Sequence, residues 1–400
     1  MSSWEVKDQW WTSPFNWVDE VRKDLKLPAK VQFHDATLRD GEQTPGVVFR
    51  KDEKVAIAKK LDEAGVDRIE AGMPAVSAED MEAIKEISSL GLKAKIMTFS
   101  RAMTADIDRA VECGADGACI EVPSGVPRLK FQYNWTHEQI IERAETAIKY
   151  AKDKGLFVNF FPFDTTRAEL DFLKRLMTAG AKAGADTVCI VDTTGCATPR
   201  GMAFMVRMLK KVVDIPIEVH THNDNGMGVA TSLAAVEEGA EVVQACVNGL
   251  GERTGNAPLE EVAVSLKAIL GVETNIKYQK LAELSQLVEK LSGMRLGAQK
   301  PLMGRISYVR ESGLGIDALY KEPRVGYSVH PAFVGRKFEI VLGKKSGKPS
   351  IEIKLNEMGI KATEEQMRVM LDKVKLKSIS KKAWLEDDEF REIVKGVLGR

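Results

Sequence analysis

From Val31 onward the chain repeats one pattern of apolar and polar positions: a short apolar run, a loop, then a stretch whose apolar residues recur every three or four positions. Short apolar runs bounded by turn residues read as buried strands, and the three-and-four spacing reads as an amphipathic helix. Strands are expected near 31–35, 67–72, 94–99, 117–122, 156–163, 186–192, 216–222 and 242–248. Helices are expected near 52–64, 78–89, 104–113, 136–154, 167–183, 199–212, 226–239 and 258–270. Glycines mark the hand-over from helix to strand, as in Ala64-Gly65-Val66-Asp67 and Ala183-Gly184-Ala185-Asp186, where a left-handed cap suits glycine. Eight strands alternating with eight helices predict a parallel sheet closed into a (β/α)8 barrel.

Outside that repeat the pattern changes. Residues 1–28 carry Trp4, Trp10, Trp11 and Trp17 with Phe15 among charges, which predicts an arm packed over the following domain or a neighbouring subunit. The barrel is expected over 29–275, a helical and irregular linker subdomain over 276–330, and a C-terminal α+β region over 331–400 with helical stretches near 364–373 and 387–398.

Composition narrows the function class. Lys+Arg and Asp+Glu are both 58, so the chain lacks the basic excess of a nucleic-acid binder. Cys113, Cys119, Cys189, Cys196 and Cys246 are scattered in apolar or Gly/Ala-rich contexts, as expected of small buried hydrophobes in a reducing compartment. No apolar run reaches the ~20 residues of a membrane span, and the N-terminus has no signal-peptide core. A cytoplasmic protein without membrane or nucleic-acid partners is expected.

The candidate chemistry lies at the strand ends. Pro216 to Asp224 reads Pro-Ile-Glu-Val-His-Thr-His-Asn-Asp, and residues two apart on a strand share a face, so His220 and His222 point into one space. In a (β/α)8 barrel the reactive groups come from the C-terminal strand ends. That rule selects Arg39, Asp40, Glu42 and Gln43 after the first strand, Glu70 at the second, Glu218, His220 and His222 at the seventh, and Arg253 and Asn256 after the eighth. The first and eighth strands are neighbours in a closed barrel, so Asp40, His220, His222 and Asn256 can converge on one ion. Two imidazoles, a carboxylate and an amide oxygen suit Mg²⁺, Mn²⁺ or Zn²⁺ and leave positions for a chelating 2-oxo or 2-hydroxy acid, whose carbonyl the ion would polarise.

The stretch His34-Asp35-Ala36-Thr37-Leu38-Arg39-Asp40-Gly41-Glu42-Gln43 resembles the signature loop of the DRE-TIM metallolyases. That superfamily includes the isopropylmalate, homocitrate and citramalate synthases and hydroxymethylglutaryl-CoA lyase. His220-Thr221-His222-Asn223-Asp224 and Asn248-Gly249-Leu250-Gly251-Glu252-Arg253-Thr254-Gly255-Asn256 resemble its other two motifs, in the same order. The resemblance implies metal ligation by Asp40, His220 and His222, with Asn256 at or near the fourth position. It implies that Arg39 stabilises a developing enolate or alkoxide, that Thr193 helps hold the 2-oxo acid carboxylate, that Glu70 lines the metal pocket, and that Gln43 touches substrate. Val341-Leu342-Gly343-Lys344-Lys345-Ser346-Gly347-Lys348 and its surroundings resemble the C-terminal region of the condensing synthases, which the lyases lack. The resemblance therefore implies a homodimer, with Tyr327 as a tail residue assisting proton transfer.

Two positions depart from the synthase pattern. Phe163 stands where a strand-five glutamate is expected, and Gly315 where a tail histidine is expected; Tyr327, His330 and Glu218 are the groups left to move a proton. Glu218 has inward parity and is expected to support Arg39 or the shell around the site before it serves as a base. Met73, Phe99, Ser124, Phe161 and Phe163 predict an apolar, aromatic substrate pocket. The expected function is a divalent-metal-dependent acyltransferase that condenses an acyl-CoA, acetyl-CoA first, with a 2-oxo acid to give a 2-hydroxy-2-alkyl dicarboxylic acid. A carbon–carbon lyase of a hydroxyacyl-CoA or hydroxy acid is the alternative.

Overall fold

The computed structural model describes residues 4–399. It divides into two compact units, one holding Trp4 and Ser13–Arg295, the other Glu5–Thr12 and residues 296–399.

The first unit is a closed barrel of eight parallel strands, β1 Gln32–Asp35, β2 Arg68–Glu70, β3 Lys95–Arg101, β4 Gly117–Pro123, β5 Phe157–Phe163, β6 Thr187–Asp192, β7 Ile217–Thr221 and β8 Val242–Ala245. Closure is made by β8 against β1, with Val242 opposite Gln32 and Gln244 opposite His34. The helices that follow the strands are α1 Lys51–Ala64, α2 Ala78–Ser89, α3 Thr104–Glu112, α4 His137–Asp153, α5 Leu170–Lys182, α6 Pro199–Leu209, α7 Gly228–Glu237 and α8 Leu259–Ser265. All eight expected strand–helix units are present. Gly65 shows why the handovers need glycine: it ends α1 at φ 87°, and a Cβ there would collide with the backbone oxygen of Asn275. Ile57 and Leu61 of α1 and Ile84 and Ile87 of α2 are fully buried, each contributing roughly 1.5–3 kcal/mol of burial.

The barrel interior is layered by chemistry. At the floor Arg68 pairs with Glu218, while Glu218 also accepts from Thr187 Oγ1 at 2.7 Å and Gln244 Nε2 at 3.0 Å, and its other neighbour is His34 Nδ1 at 3.1 Å. Above this, Met97, Phe99, Cys119, Phe161, Cys189 and Val191 form an apolar wall on the β3–β6 side. The β1, β2, β7 and β8 side carries polar groups, so the mouth is half aromatic and half ionic.

The first unit runs to 295, where helix α9 (Leu281–Ser292) buries Leu281, Leu284 and Val288, and its Ser285 holds the side chain of Asn248. Residues 4–28 divide between the two units. Residues 5–12 belong to the second unit, where Trp11 N donates to Ser328 O and Trp10 stacks edge-on to Phe333, whereas Arg22 of the first unit donates to Leu270 O. Of the five cysteines, Cys196 is exposed, because it lies in the loop beyond β6.

The second unit is built on α10 Ile316–Lys321, α11 Lys348–Glu357, α12 Glu364–Lys381 and α13 Asp387–Leu398, with a two-residue parallel pairing of Val309–Arg310 to Glu339–Ile340. Its core includes Leu342, Ile351, Leu355, Met370, Val374 and Phe390. The helix expected near 364–373 extends to Lys381, since Val374 and Ser378 continue its buried face.

Candidate active site and metal centre

The loop after β1 is pinned first. Asp35 accepts from Thr37 N and Thr37 Oγ1, each at 2.9 Å, and Thr37 Oγ1 accepts from Val247 N at 2.8 Å, which ties the loop to the end of β8. Burial raises the Asp35 carboxyl to about 7 despite those bonds. The turn that follows sets Arg39 and Asp40 over the barrel mouth.

The loop after β8 arrives from the other side. His222 bridges Asn256, and Asn223 N donates to Gly255 O at 2.9 Å. Arg253 clamps the rim, donating to both Asp224 oxygens at 2.8 and 3.1 Å and to Thr193 O at 2.6 Å. Gly251 sits at φ 148°, and a Cβ there would collide with Asn256 Nδ2 and stand 3.0 Å from Asp40 Oδ2.

Asp40, His220 and His222 are all buried, and their ligand atoms lie within 4.8 Å of one another. Asn256 Nδ2 donates to Asp40 Oδ2 and, at 2.9 Å, to Leu250 O, which leaves Asn256 Oδ1 without a partner among the described residues. His220 Nδ1 faces Gln244 Oε1 at 3.1 Å, so the proton belongs on Nδ1 and Nε2 keeps a free lone pair toward His222. Burial pushes His220 down to about 3 and His222 below the ordinary range, against the pull of Asp40 in both. Burial also works against the Asp40 charge, yet Arg39, His222 and His220 hold its carboxyl well below the usual range. One anionic oxygen donor, two neutral imidazoles and an idle amide oxygen fit a divalent cation.

A second cluster, His34, Glu70 and Cys119, has ligand spacing too. It fits a cation poorly. His34 Nδ1 is committed to Glu218, Glu70 Oε2 lies 3.0 Å from Arg39 Nε, and burial pushes the Cys119 thiol far up, which keeps it protonated.

Arg39 links the metal cluster to the aromatic wall. Its Nη1 donates to Asp40 Oδ1 at 2.7 Å, and its guanidinium lies 4.2 Å from the Phe99 ring centre and 5.6 Å from that of Phe161. Its Nε and Nη2 groups and both Glu70 oxygens are buried without an aligned hydrogen bond among the described residues. The Nη2 group, idle beside a cluster of metal-type ligands, makes a site for an oxygen that gains negative charge.

The other expected residues are placed less centrally. Thr193 is half-buried after β6, and its Oγ1 accepts from Asp164 N at 2.8 Å. Gln43 is exposed on the turn Gly41–Gln43. Tyr327 belongs to the second unit, where its ring stands 5.2 Å from that of Tyr308, and burial raises its phenol above the usual range. Of the two supports expected of Glu218, it serves the shell and not Arg39: it pairs with Arg68 and accepts from Gln244, and although burial opposes its charge, Arg68 and the His34 and Gln244 bonds hold its carboxyl well below the usual range. A carboxylate so held is a poor base. Gln244 was passed over in the sequence, although a lone amide in the run Val-Val-Gln-Ala was its signal.

Residues 30–288 match the HMGL-like family, and residues 302–382 match the homocitrate synthase post-HMGL domain-like family. The chain is 40% identical to "Homocitrate synthase AksA" of Methanopyrus kandleri, over 96% of each chain. It is 42% identical to "2-isopropylmalate synthase" of Methanocaldococcus jannaschii, over 96% of this chain and 74% of that one. It is 40% identical to "(R)-citramalate synthase CimA" of the same organism, over 92% and 75%. Among solved structures, hydroxymethylglutaryl-CoA lyase of Pseudomonas aeruginosa superposes with a TM-score of 0.62 at 20% identity, covering 68% of this chain and 96% of that one, a likeness of fold. The chain belongs to the HMGL-like family of the DRE-TIM superfamily, and its second unit resembles the domain that follows the barrel in homocitrate synthases.

Proposed function

We propose that this protein condenses an acyl-CoA, acetyl-CoA first, with a 2-oxo acid in a Claisen-type reaction that yields a 2-hydroxy-2-alkyl dicarboxylic acid and free CoA. The observation that carries the reading is the buried cluster of Asp40, His220 and His222 beside the idle Nη2 donor of Arg39. The match over 96% of the chain to relatives named as synthases supports condensation over cleavage, since the lyase structures cover only 68% of it.

Asp40, His220, His222 and Asn256 would hold Mg²⁺, Mn²⁺ or Zn²⁺, which when bound supplies Lewis-acid polarisation of a carbonyl oxygen. Arg39 directs its Nη2–H toward an oxygen that gains charge, and Glu70, 3.0 Å from Nε, keeps the guanidinium fork oriented. Thr193 accepts from Asp164 N, so its own hydroxyl proton is free to donate to the oxo acid carboxylate. Gln43 contributes a further amide at the rim. The raised phenol of Tyr327 stays protonated near neutrality, which suits a proton donor. The same reading carries a homodimer in the cytoplasm. No helix among the described residues is long and apolar enough to cross a membrane.

The test is competition. Purified protein incubated with acetyl-CoA and an equimolar mixture of pyruvate, 2-oxoisovalerate and 2-oxoglutarate, with product masses read by mass spectrometry, should give one dominant hydroxy diacid. Consumption of a hydroxyacyl-CoA with no condensation product from any mixture would replace synthase by lyase.

A further inference from the structure

The mouth of the barrel holds one acidic group that belongs neither to the metal cluster nor to the Arg39–Glu70 pair. Glu121 lies on β4, two residues beyond Cys119, so strand alternation turns it to the interior face. It stands opposite Arg101 on β3 and Phe161 on β5, at the level of the aromatic wall. Its carboxylate is half-buried and makes no hydrogen bond or ion pair among the described residues.

The neighbouring carboxylates are all engaged. Asp40 is in the metal cluster, Glu70 faces Arg39, and Glu218 is locked to Arg68. Asp164 takes both prongs of Arg167 at 2.8 Å, and Asp192 accepts from Thr166, Cys196 N and Ala197 N. Among these, Glu121 alone has neither a hydrogen bond nor an ion pair.

We propose that Glu121 is the general base that removes the α-proton of the acyl-CoA. The α-carbon–hydrogen bond breaks and the proton passes to a Glu121 oxygen. The electron pair forms the bond to the 2-oxo acid carbonyl carbon, and the carbonyl π pair moves to its oxygen, which takes up a proton. Water then cleaves the thioester and releases CoA. This assignment rests on the condensing reaction proposed above.

The charges around Glu121 come from each adjoining element: Arg39 and Glu70 from the metal side, Arg101 on β3, Asp106 on α3, and the Tyr133 phenol in the turn after β4. Burial raises its carboxyl to about 7, with Asp106 and Glu70 adding to the rise and Arg39 and Arg101 opposing it. A base poised there is matched to a neutral working pH.

Glu121→Gln and Glu121→Asp, assayed beside wild type over a pH series, test the assignment. Glu121→Gln should lower kcat by ~10²–10⁴-fold and erase the acidic limb near pH 7, with the 2-oxo acid KM within about twofold and an unchanged melting temperature. Glu121→Asp should recover part of the rate and keep the limb. Wild-type rate and pH profile in Glu121→Gln would overturn the assignment alone. Failure of wild type to release CoA from any acyl thioester would overturn both it and the condensing reading.

Discussion

The Nε2 atoms of His220 and His222 stand 3.2 Å apart, both within ligand reach of one ion beside Asp40. Burial keeps His220 neutral down to about 3, so a cation at this site meets no imidazolium there at neutral pH. Gln244 fixes the tautomer by accepting from His220 Nδ1. Gln244→Leu should therefore weaken Mn²⁺ binding by ~10–100-fold, measured by electron paramagnetic resonance of free Mn²⁺, and Asp40→Ala should abolish it. Wild-type affinity in Gln244→Leu would remove the amide from the account of the site.

The close approach of the β8 loop gives an independent test. A methyl group at residue 251 would enter the space of Asn256 Nδ2 and Asp40 Oδ2, on a backbone at φ 148°. Gly251→Ala should lose Mn²⁺ affinity and turnover together while the protein stays folded by circular dichroism. Gly46, with no neighbour around its Cβ position, serves as the control for positive φ alone at 88°.

Arg39 is expected to act on the rate and not on metal loading. Lysine keeps the charge but loses the planar fork that spans Asp40 and Glu70 under the Phe99 ring. Arg39→Lys should lower kcat by ~10²–10³-fold and retain Mn²⁺ binding by the same titration.

Glu218 should prove structural. Removing it strands the buried Arg68 guanidinium, so Glu218→Ala should cost about 3–5 kcal/mol in urea unfolding if the variant folds. The folded carboxyl lies below its unfolded value of about 4.3, so its stabilisation is present above that pH and disappears as pH falls toward the folded value. Wild type should accordingly lose stability more steeply than Glu218→Gln below pH ~4.3.

The barrel was legible because its units are local: apolar runs, amphipathic spacing and glycine caps each need only a few residues of sequence. The ligand set was legible for a similar reason. His220 and His222 share a face by strand parity, and Asp40 and Asn256 meet them because β8 closes on β1. Pairings across the barrel were not legible. Strand parity turns Glu218 inward but does not say that Arg68 lies beneath it, and it puts Glu121 on the inner face without showing that Arg101 and Phe161 flank it. Division of the chain at 295 was hidden for the same reason, since α9 joins the first unit through pairs such as Ser285 with Asn248 and Glu283 with Lys60, far apart in sequence.

The most direct test of the central claim is thiol release from acetyl-CoA with Mg²⁺, Mn²⁺ or Zn²⁺ against a panel of 2-oxo acids, with Asp40→Ala in parallel. The account predicts release that requires an oxo acid, a divalent ion and Asp40 together. Release indifferent to Asp40, or silence across the panel from folded, metal-loaded protein, would contradict it.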